Sequence, residues 1–349
     1  MEKLEIDVNQ FPSLTWNFLN INRACLELGG EFKSCGAVSG GMEIENSAYS
    51  FIKTGLGGKF DAAFDSVLQK NGIRTLLFTA ESAGRPHKIE LFAQENEASV
   101  CDIVIHAKAD ADCSYIFVYK SGSGDLNSQV GARIRVLAEE NAHVHVSCVN
   151  MLGKNTAHFN SVGSSCKDNA SVEITELELG AGRTFSGTFI GLEGYKSRFI
   201  GRAAYVVNGS SSLDMNQVAL QTGRRTESRF SVDGVLLDNA KKTWRGTIDF
   251  KKGCVDSIGD EQEDVLLLSP DAVNKSLPVI LCDEEAVEGR HGCSIGKVDM
   301  EKLFYMQSRG VDEKTARELL TKAKVSKVSR FIPDESLAAE ISSFVEAII

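Results

Sequence analysis

The chain has 349 residues, with 48 Asp and Glu against 38 Lys and Arg, a formal net charge of −10, and 42% hydrophobic residues. Such a composition builds a folded globule with a sizeable core. The acidic balance excludes a general binder of nucleic acid or anionic membrane, which needs a basic footprint.

No apolar run is long enough to span a bilayer, and Met1-Glu2-Lys3-Leu4-Glu5 has neither the basic end nor the apolar stretch of a secretory signal, so a cytoplasmic protein is expected. In chain order, residues 1–75 form a first region. Apolar residues recur with helical spacing over Ser13–Leu28 and again over Lys59–Gln69, which predicts a helical N-terminal region. Glycines 40, 41, 55, 57 and 58 lie between the two. Thr54-Gly55-Leu56-Gly57-Gly58-Lys59-Phe60 has the residue types of a phosphate loop without its GxxxxGK[ST] spacing, and Phe60 stands where a magnesium-binding hydroxyl is required. The chain is not expected to bind or hydrolyse nucleotide itself.

Residues 76–298 read differently. Short alternating segments follow one another, at Val100–Ile105, Tyr115–Tyr119, Ala132–Leu137, His143–Cys148, Val172–Leu177, Ala203–Val207, Leu213–Val218 and Thr243–Phe250, broken by Gly, Asn, Asp and Ser. A phrase of a polar turn residue, a small residue and then alternation recurs around Ala98, Ala142, Ala170 and Ala240, at spacings near multiples of about 14. The pattern suits a solenoid of β-coils, in which each turn buries its inward side chains on the next, or a β-sandwich. Residues 299–349 are helical. Asp299 is placed to cap Met300–Arg309, Gly310 to stop it, Asp312 to cap a second helix through about Lys324, and Asp334 to open a third with Leu337, Ile341, Phe344, Val345 and Ile348 on one stripe.

Nine cysteines (25, 35, 101, 113, 148, 166, 254, 282 and 293) are odd in number, scattered and free of any CxxC pair. They suit neither a disulfide framework nor a zinc ribbon, and most read as small buried hydrophobes. The densest set of ligand-type residues is Cys282-Asp283-Glu284-Glu285 followed by Glu288, Arg290, His291 and Cys293. In a strand, His291 and Cys293 share a face, and imidazole with thiolate suits iron or zinc. On a solenoid, a neighbouring turn carrying Cys254 or Glu263 could complete a site; otherwise the run is an acidic surface turn beside one buried cysteine. His143-Val144-His145 with Cys148 is a second candidate, against a plain strand face. No GxSxG elbow or HExxH helix occurs, and no enzyme is expected.

Three segments carry a resemblance: Gly223-Arg224-Arg225-Thr226-Glu227-Ser228-Arg229-Phe230, Trp244-Arg245-Gly246, and Asp264-Val265-Leu266-Leu267-Leu268-Ser269-Pro270. The most specific run is Glu288-Gly289-Arg290-His291-Gly292-Cys293-Ser294-Ile295-Gly296, leading to Leu303-Phe304-Tyr305-Met306-Gln307-Ser308-Arg309-Gly310-Val311. These segments resemble the SufB/SufD family of iron–sulfur cluster assembly scaffolds. The resemblance implies a mainly β protein, a right-handed parallel β-helix over 76–298 between helical regions at 1–75 and 299–349. It implies a SufC-type ABC ATPase docked on the C-terminal helices through Leu303, Phe304, Tyr305, Arg309 and Gly310. A SufB-type subunit or a second copy would pair through the β-helix, and a transient iron–sulfur cluster would assemble near that junction, with His291 facing the partner. The metal-site set expected is His291, Cys293, Cys282, Cys254 and Glu263. SufB-type members carry a functional cysteine on the strand that here reads Glu263-Asp264-Val265, so the chain resembles SufD more. The alternatives are a self-sufficient homodimeric scaffold and, in another class, a secreted β-helix carbohydrate enzyme, which needs paired carboxylates or a calcium cluster.

Overall fold

The computed structural model describes residues 4–13, 15, 17–34, 40–122, 126–298 and 300–349, without the side chains at 17, 300 and 302. Two sheets share the chain by turns. One takes the odd strands β5 (Thr75–Ala80), β7 (Glu97–Ala107), β9 (Ser128–Ala138), β11 (Thr156–Cys166), β13 (Arg183–Leu192), β15 (Ser212–Gln221), β17 (Lys241–Phe250) and β19 (Val273–Cys282). The other takes β6 (His87–Ala93), β8 (Asp112–Ser121), β10 (His143–Met151), β12 (Ser171–Glu178), β14 (Arg198–Val207), β16 (Glu227–Leu236), β18 (Ser257–Leu267) and β20 (Val287–Lys297).

Each of these strands pairs in parallel with the next of its own sheet, so one strand from each sheet makes one turn of a parallel β-solenoid. Paired Cα atoms stand from 26 residues apart (Ala157 with Arg183) to 32 (Lys241 with Val273). The Ala142–Ala170 spacing is one such turn, because His143 pairs with Ser171. All eight alternating segments read from the sequence lie inside strands. Their inward residues stack into the interior, in a main cluster that holds the ladder Val144, Val172 and Phe199 and a second around Tyr205, Met215 and Trp244.

At one edge, Asp110, Asn141, Asn169, Lys196, Arg225 and Asp256 all take φ between +56° and +64°. Each donates its backbone N–H to a carbonyl of the following turn, as Asn141 does to Asp168 at 2.9 Å. The corner needs a left-handed residue, which Asn and Asp tolerate best, and a small one after it; Ala111, Ala142 and Ala170 sit there fully buried.

Both sheets are covered on their outer faces. Helix α1 (Gly58–Lys70) buries Phe60, Phe64 and Leu68 against Val100, Phe159 and Phe185 of the odd sheet. Helices α3 (Glu313–Ser329) and α4 (Glu335–Ile348) bury Val325, Val328, Leu337, Ile341 and Val345 against Ile116, Val149, Leu177 and Val206 of the even sheet. Burying side chains of this size contributes about 1.5–3 kcal/mol each before entropy is counted.

The N-terminal region corrects the sequence reading. Lys59–Gln69 is helical, but Ser13–Leu28 is not. Among its described residues it contains a 3₁₀ turn at Asn17–Leu19 and strand β2 (Ala24–Leu28), which pairs antiparallel with β1 (Leu4–Val8). Asn22 explains the difference: its side chain accepts from the Thr15 N–H at 2.9 Å and donates to the Thr15 carbonyl at 3.0 Å, closing a loop where a helix would run through. Strands β3 (Glu31–Ser34) and β4 (Met42–Ile44) then join the odd sheet at its first turns.

At the other end, α2 (Met300–Ser308) stops at Gly310, which takes φ +89°. Asp312 and Asp334 cap α3 and α4 through the Thr315 and Leu337 N–H groups. Asp299, expected to cap α2, lies outside the described residues, as does Cys35. Among the described residues no helix is long and apolar enough to cross a membrane.

Candidate functional site

The last turn of the solenoid has no turn beyond it, so side chains that would be sealed elsewhere meet solvent here. Along β18 the inward positions include Glu261 and Glu263; on β20 they are matched by His291 and Cys293, each opposite its counterpart. The sequence therefore places an acidic pair beneath a histidine and a thiol on one continuous ladder.

Glu263 is fully buried and paired with the equally buried Lys242 of β17. It also accepts from the Tyr205 hydroxyl at 3.2 Å, and the Cys293 Sγ lies 3.5 Å from its second oxygen. Lys242 completes its shell on Ser276 Oγ at 3.1 Å and the Lys275 carbonyl at 3.4 Å. Burial pulls the Lys242 ammonium below its ordinary range, with Glu263 opposing the shift. Burial pushes the Cys293 thiol up and the Glu263 charge adds to it, while a hydrogen bond with Ser276 works against both. Glu261 has no exposed side chain, and burial raises its carboxyl to about 8; the half-exposed His291 holds Nδ1 3.8 Å from it. Chemically this is a mouth in which one imidazole and one thiol, on the inward ladder but open to solvent at the end of the solenoid, rest on two buried carboxyls, of which Glu263 is paired with Lys242 from below and Glu261 has no such cation beneath it among the described residues.

Of the five residues expected at a metal site, the structure brings Glu263 and Cys293 into contact and sets His291 two residues along the same face. Cys254 and Cys282 belong elsewhere. Cys254 is buried in the turn after β17, and Cys282, at the end of β19, donates its S–H to the Glu284 carbonyl at 3.0 Å. The Glu284 carboxylate in turn accepts the backbone N–H of Gly253 at 2.9 Å and of Glu285 at 3.0 Å, and these bonds hold its pKa down. The acidic run is thus a turn-closing device. Among the described residues, no three His, Cys, Asp or Glu side chains converge as a ready-made metal site.

The second candidate also comes apart. His143 and His145 share the outward face, bonded to Ser171 and Thr175 hydroxyls at 2.5 and 2.9 Å, whereas Cys148 points into the core. Lys242, Tyr205 and Glu261 escaped the sequence reading. Their signal is parity: Lys242 stands two residues before the buried Trp244 and shares its face.

Beyond β20 the chain enters α2. Leu303 turns inward and is buried, whereas Phe304 is 71% and Tyr305 59% exposed, and the Arg309 guanidinium lies over the Tyr305 ring at 5.2 Å. Two neighbouring aromatic rings are thus offered to solvent on one helix.

Residues 91–324 match the family model described as SUF system FeS cluster assembly, SufBD core domain. The chain belongs to the SufBD family. The match takes in almost the whole solenoid, α2 and most of α3. Relatives include the iron–sulfur cluster assembly protein SufD of Bacillus subtilis, 23% identical over 245 residues, covering 70% of this chain and 56% of that one. The SufBD family protein of Pyrococcus horikoshii is 27% identical over 250 residues, 61% of this chain and 54% of its own length. SufB of Bacillus subtilis is 20% identical over 222 residues, 63% and 47%. This SufBD chain spans about half the length of these relatives.

Proposed function

We propose that this SufBD protein is a SufD-like scaffold subunit on which an iron–sulfur cluster is built as cargo, without catalysis by the chain itself. It works with a SufC-type ABC ATPase bound at α2 and pairs through its last turn with a SufB-type subunit or a second copy. The observation that carries this reading is the last turn itself. His291 and Cys293 stand on the edge strand opposite Glu261 and Glu263, open to solvent at the end of the solenoid, and in the resemblance Glu263 or Asp264 occupies the place at which SufB-type members carry a functional cysteine. An imidazole and a thiol with no third ligand of their own suit a half-site completed by a partner's groups or by sulfide. The unpaired outer edges of β19 and β20 offer backbone donors and acceptors to a partner strand.

The self-sufficient homodimeric scaffold draws support from Cys293. Its thiol lies opposite Glu263 on the neighbouring strand and in contact with it, beside the place, Glu263 or Asp264, where the resemblance puts the SufB-type cysteine. Anaerobic reconstitution with ferrous iron and sulfide, read by absorbance and metal content, separates the two. A cluster on the chain alone that disappears in His291→Ala supports the self-sufficient scaffold. No cluster alone, with stable ATPase binding, supports the SufD-like subunit. Wild-type cluster maturation by His291→Ala in the assembled complex removes the site assignment.

A further inference from the structure

Segment 45–52 lies as a run of turns on the outer face of the odd sheet at its first turns, Ile52 donating its backbone N–H to the Tyr49 carbonyl at 3.1 Å. It is fastened there without help from the Tyr49 side chain. Arg135 of β9, itself bonded to Asp102 at 2.7 Å, donates to the Ala48 carbonyl at 3.0 Å. The Asn46 side chain donates to the Ile73 carbonyl at 3.1 Å and accepts the Thr75 N–H at 3.0 Å. Tyr49 nevertheless takes φ +61°. A left-handed residue in a turn is ordinarily Gly, Asn or Asp, and a bulky ring there strains the backbone.

The strained residue completes a hydrogen-bonded chain. Tyr49 Oη lies 2.8 Å from His106 Nδ1 on β7, and His106 Nε2 lies 2.5 Å from Glu139 Oε1, just past β9. A carboxylate only accepts, so Nε2 carries the ring proton, and Nδ1 is left to accept from the Tyr49 hydroxyl. Lys108 sits 3.3 Å from Nε2 and 3.5 Å from the same Glu139 oxygen. The His106 hydrogen bond first, and the Lys108 charge with it, hold the Glu139 carboxyl below its usual range. The chain opens to solvent, with the Glu139 side chain 35% exposed. Phe51, 64% exposed, sets its ring 6.0 Å from that of Tyr49. A hydroxyl held on an imidazole that is itself oriented by a carboxylate is the arrangement that activates a weak nucleophile.

We propose that Tyr49 is a modification site, a nucleophile that accepts one acyl group from an activated ester or thioester, with His106 as its general base and Glu139 as the residue that positions His106. As Tyr49 Oη bonds to the acyl carbon, His106 Nδ1 takes the phenolic proton. The bond from that carbon to the leaving oxygen or sulfur breaks, and the leaving group departs with the electron pair and collects the proton from Nδ1. The products are a tyrosyl ester and a free alcohol or thiol, with no change of oxidation state. The Phe51 ring offers an apolar acyl group a surface to lie on. The site stands on the first turns of the solenoid, away from the last turn, so it is a second role that does not depend on the cargo reading.

The test treats the full chain with p-nitrophenyl acetate and follows acetylation of each tyrosine by peptide mass spectrometry. Tyr305 and Tyr195, 59% and 39% exposed, serve as internal references. In the wild type, Tyr49 should acetylate about a hundredfold faster than either reference, the lower end of what a positioned general base contributes. His106→Ala should bring Tyr49 down to the reference rate, and added imidazole should restore part of the difference, which a purely structural histidine would not allow. Glu139→Gln, which no longer fixes the tautomer, should slow Tyr49 by about tenfold, and Glu139→Asp should recover most of that loss. The reference tyrosines should react alike in every variant. A wild-type Tyr49 that reacts no faster than Tyr305 overturns the proposal without recourse to any variant. An undiminished Tyr49 rate in His106→Ala overturns it as well.

Discussion

Lys242 and Glu263 show how a solenoid carries charge inside. Neither side chain is exposed, so each depends on the other for its solvation. Removing one partner leaves an uncompensated buried charge, and Lys242→Met should therefore cost about 3–5 kcal/mol in urea denaturation. The double variant Lys242→Met, Glu263→Leu should recover most of that loss, because paired apolar replacements of buried ion pairs are often near neutral. His158 makes the complementary case for a group buried uncharged. Its Nδ1 donates to the Val130 carbonyl at 2.9 Å, its ring packs on Tyr119 at 4.4 Å, and burial lowers its pKa to about 4. The unfolded chain takes up that proton near 6.5, the folded one only near 4. The stability is thus fully present above pH 6.5 and drains away as pH falls toward 4, by roughly 3 kcal/mol at most. Stability measured across pH 4–7 should show this limb, and His158→Gln should flatten it.

At the scale of elements, legibility followed the number of wet faces. β10 alternates plainly in sequence, with His143, His145 and Ser147 outward and Val144, Val146 and Cys148 inward, and its period reads as a strand. β11 was missed. Thr156–Cys166 runs through Asn160, Ser161, Gly163, Ser164 and Ser165, all buried, because segment 53–56 lies against its outer face. There the Ser161 hydroxyl lies 2.6 Å from Thr54 Oγ1 and accepts the Leu56 N–H at 3.1 Å, and a Cβ at Gly163 would come within 2.0 Å of the Lys53 carbonyl oxygen. A strand polar on both faces and dry on both has no period to read. The terminal helices were legible through their caps, which are local, although α3 runs five residues past the expected Lys324 on the strength of tertiary contacts at Val325 and Val328. Losing a cap of this kind should be felt: Asp334→Ala removes the side chain that accepts the Leu337 N–H and should destabilise α4 by about 1 kcal/mol, seen as a lower unfolding midpoint. The site was legible as far as i, i+2 parity reaches, hence His291 with Cys293. Lys242 and Tyr205 arrive from other turns, and only the three-dimensional register brings them in.

For the whole molecule, the two ends of the solenoid are unlike. β3 and β4 close the odd sheet at its first turns, while β19 and β20 leave open edges, with Ile295 51% exposed beside them. A chain presenting such edges should associate through them, and Ile295→Lys should shift sedimentation toward the monomer without altering the circular dichroism spectrum. On the reading proposed above, Phe304→Ala with Tyr305→Ala should abolish capture of a SufC-type ATPase while leaving that association intact. A stack of turns in which each is clasped by its neighbours on both sides has one further property. It opens from whichever end is clasped once. Backbone amides of β20 should exchange with deuterated solvent well before those of β10, the fraying running inward from the C-terminal turn. The place where the cluster is proposed to form is then also the loosest page of the book, and whatever seats itself there binds the volume shut.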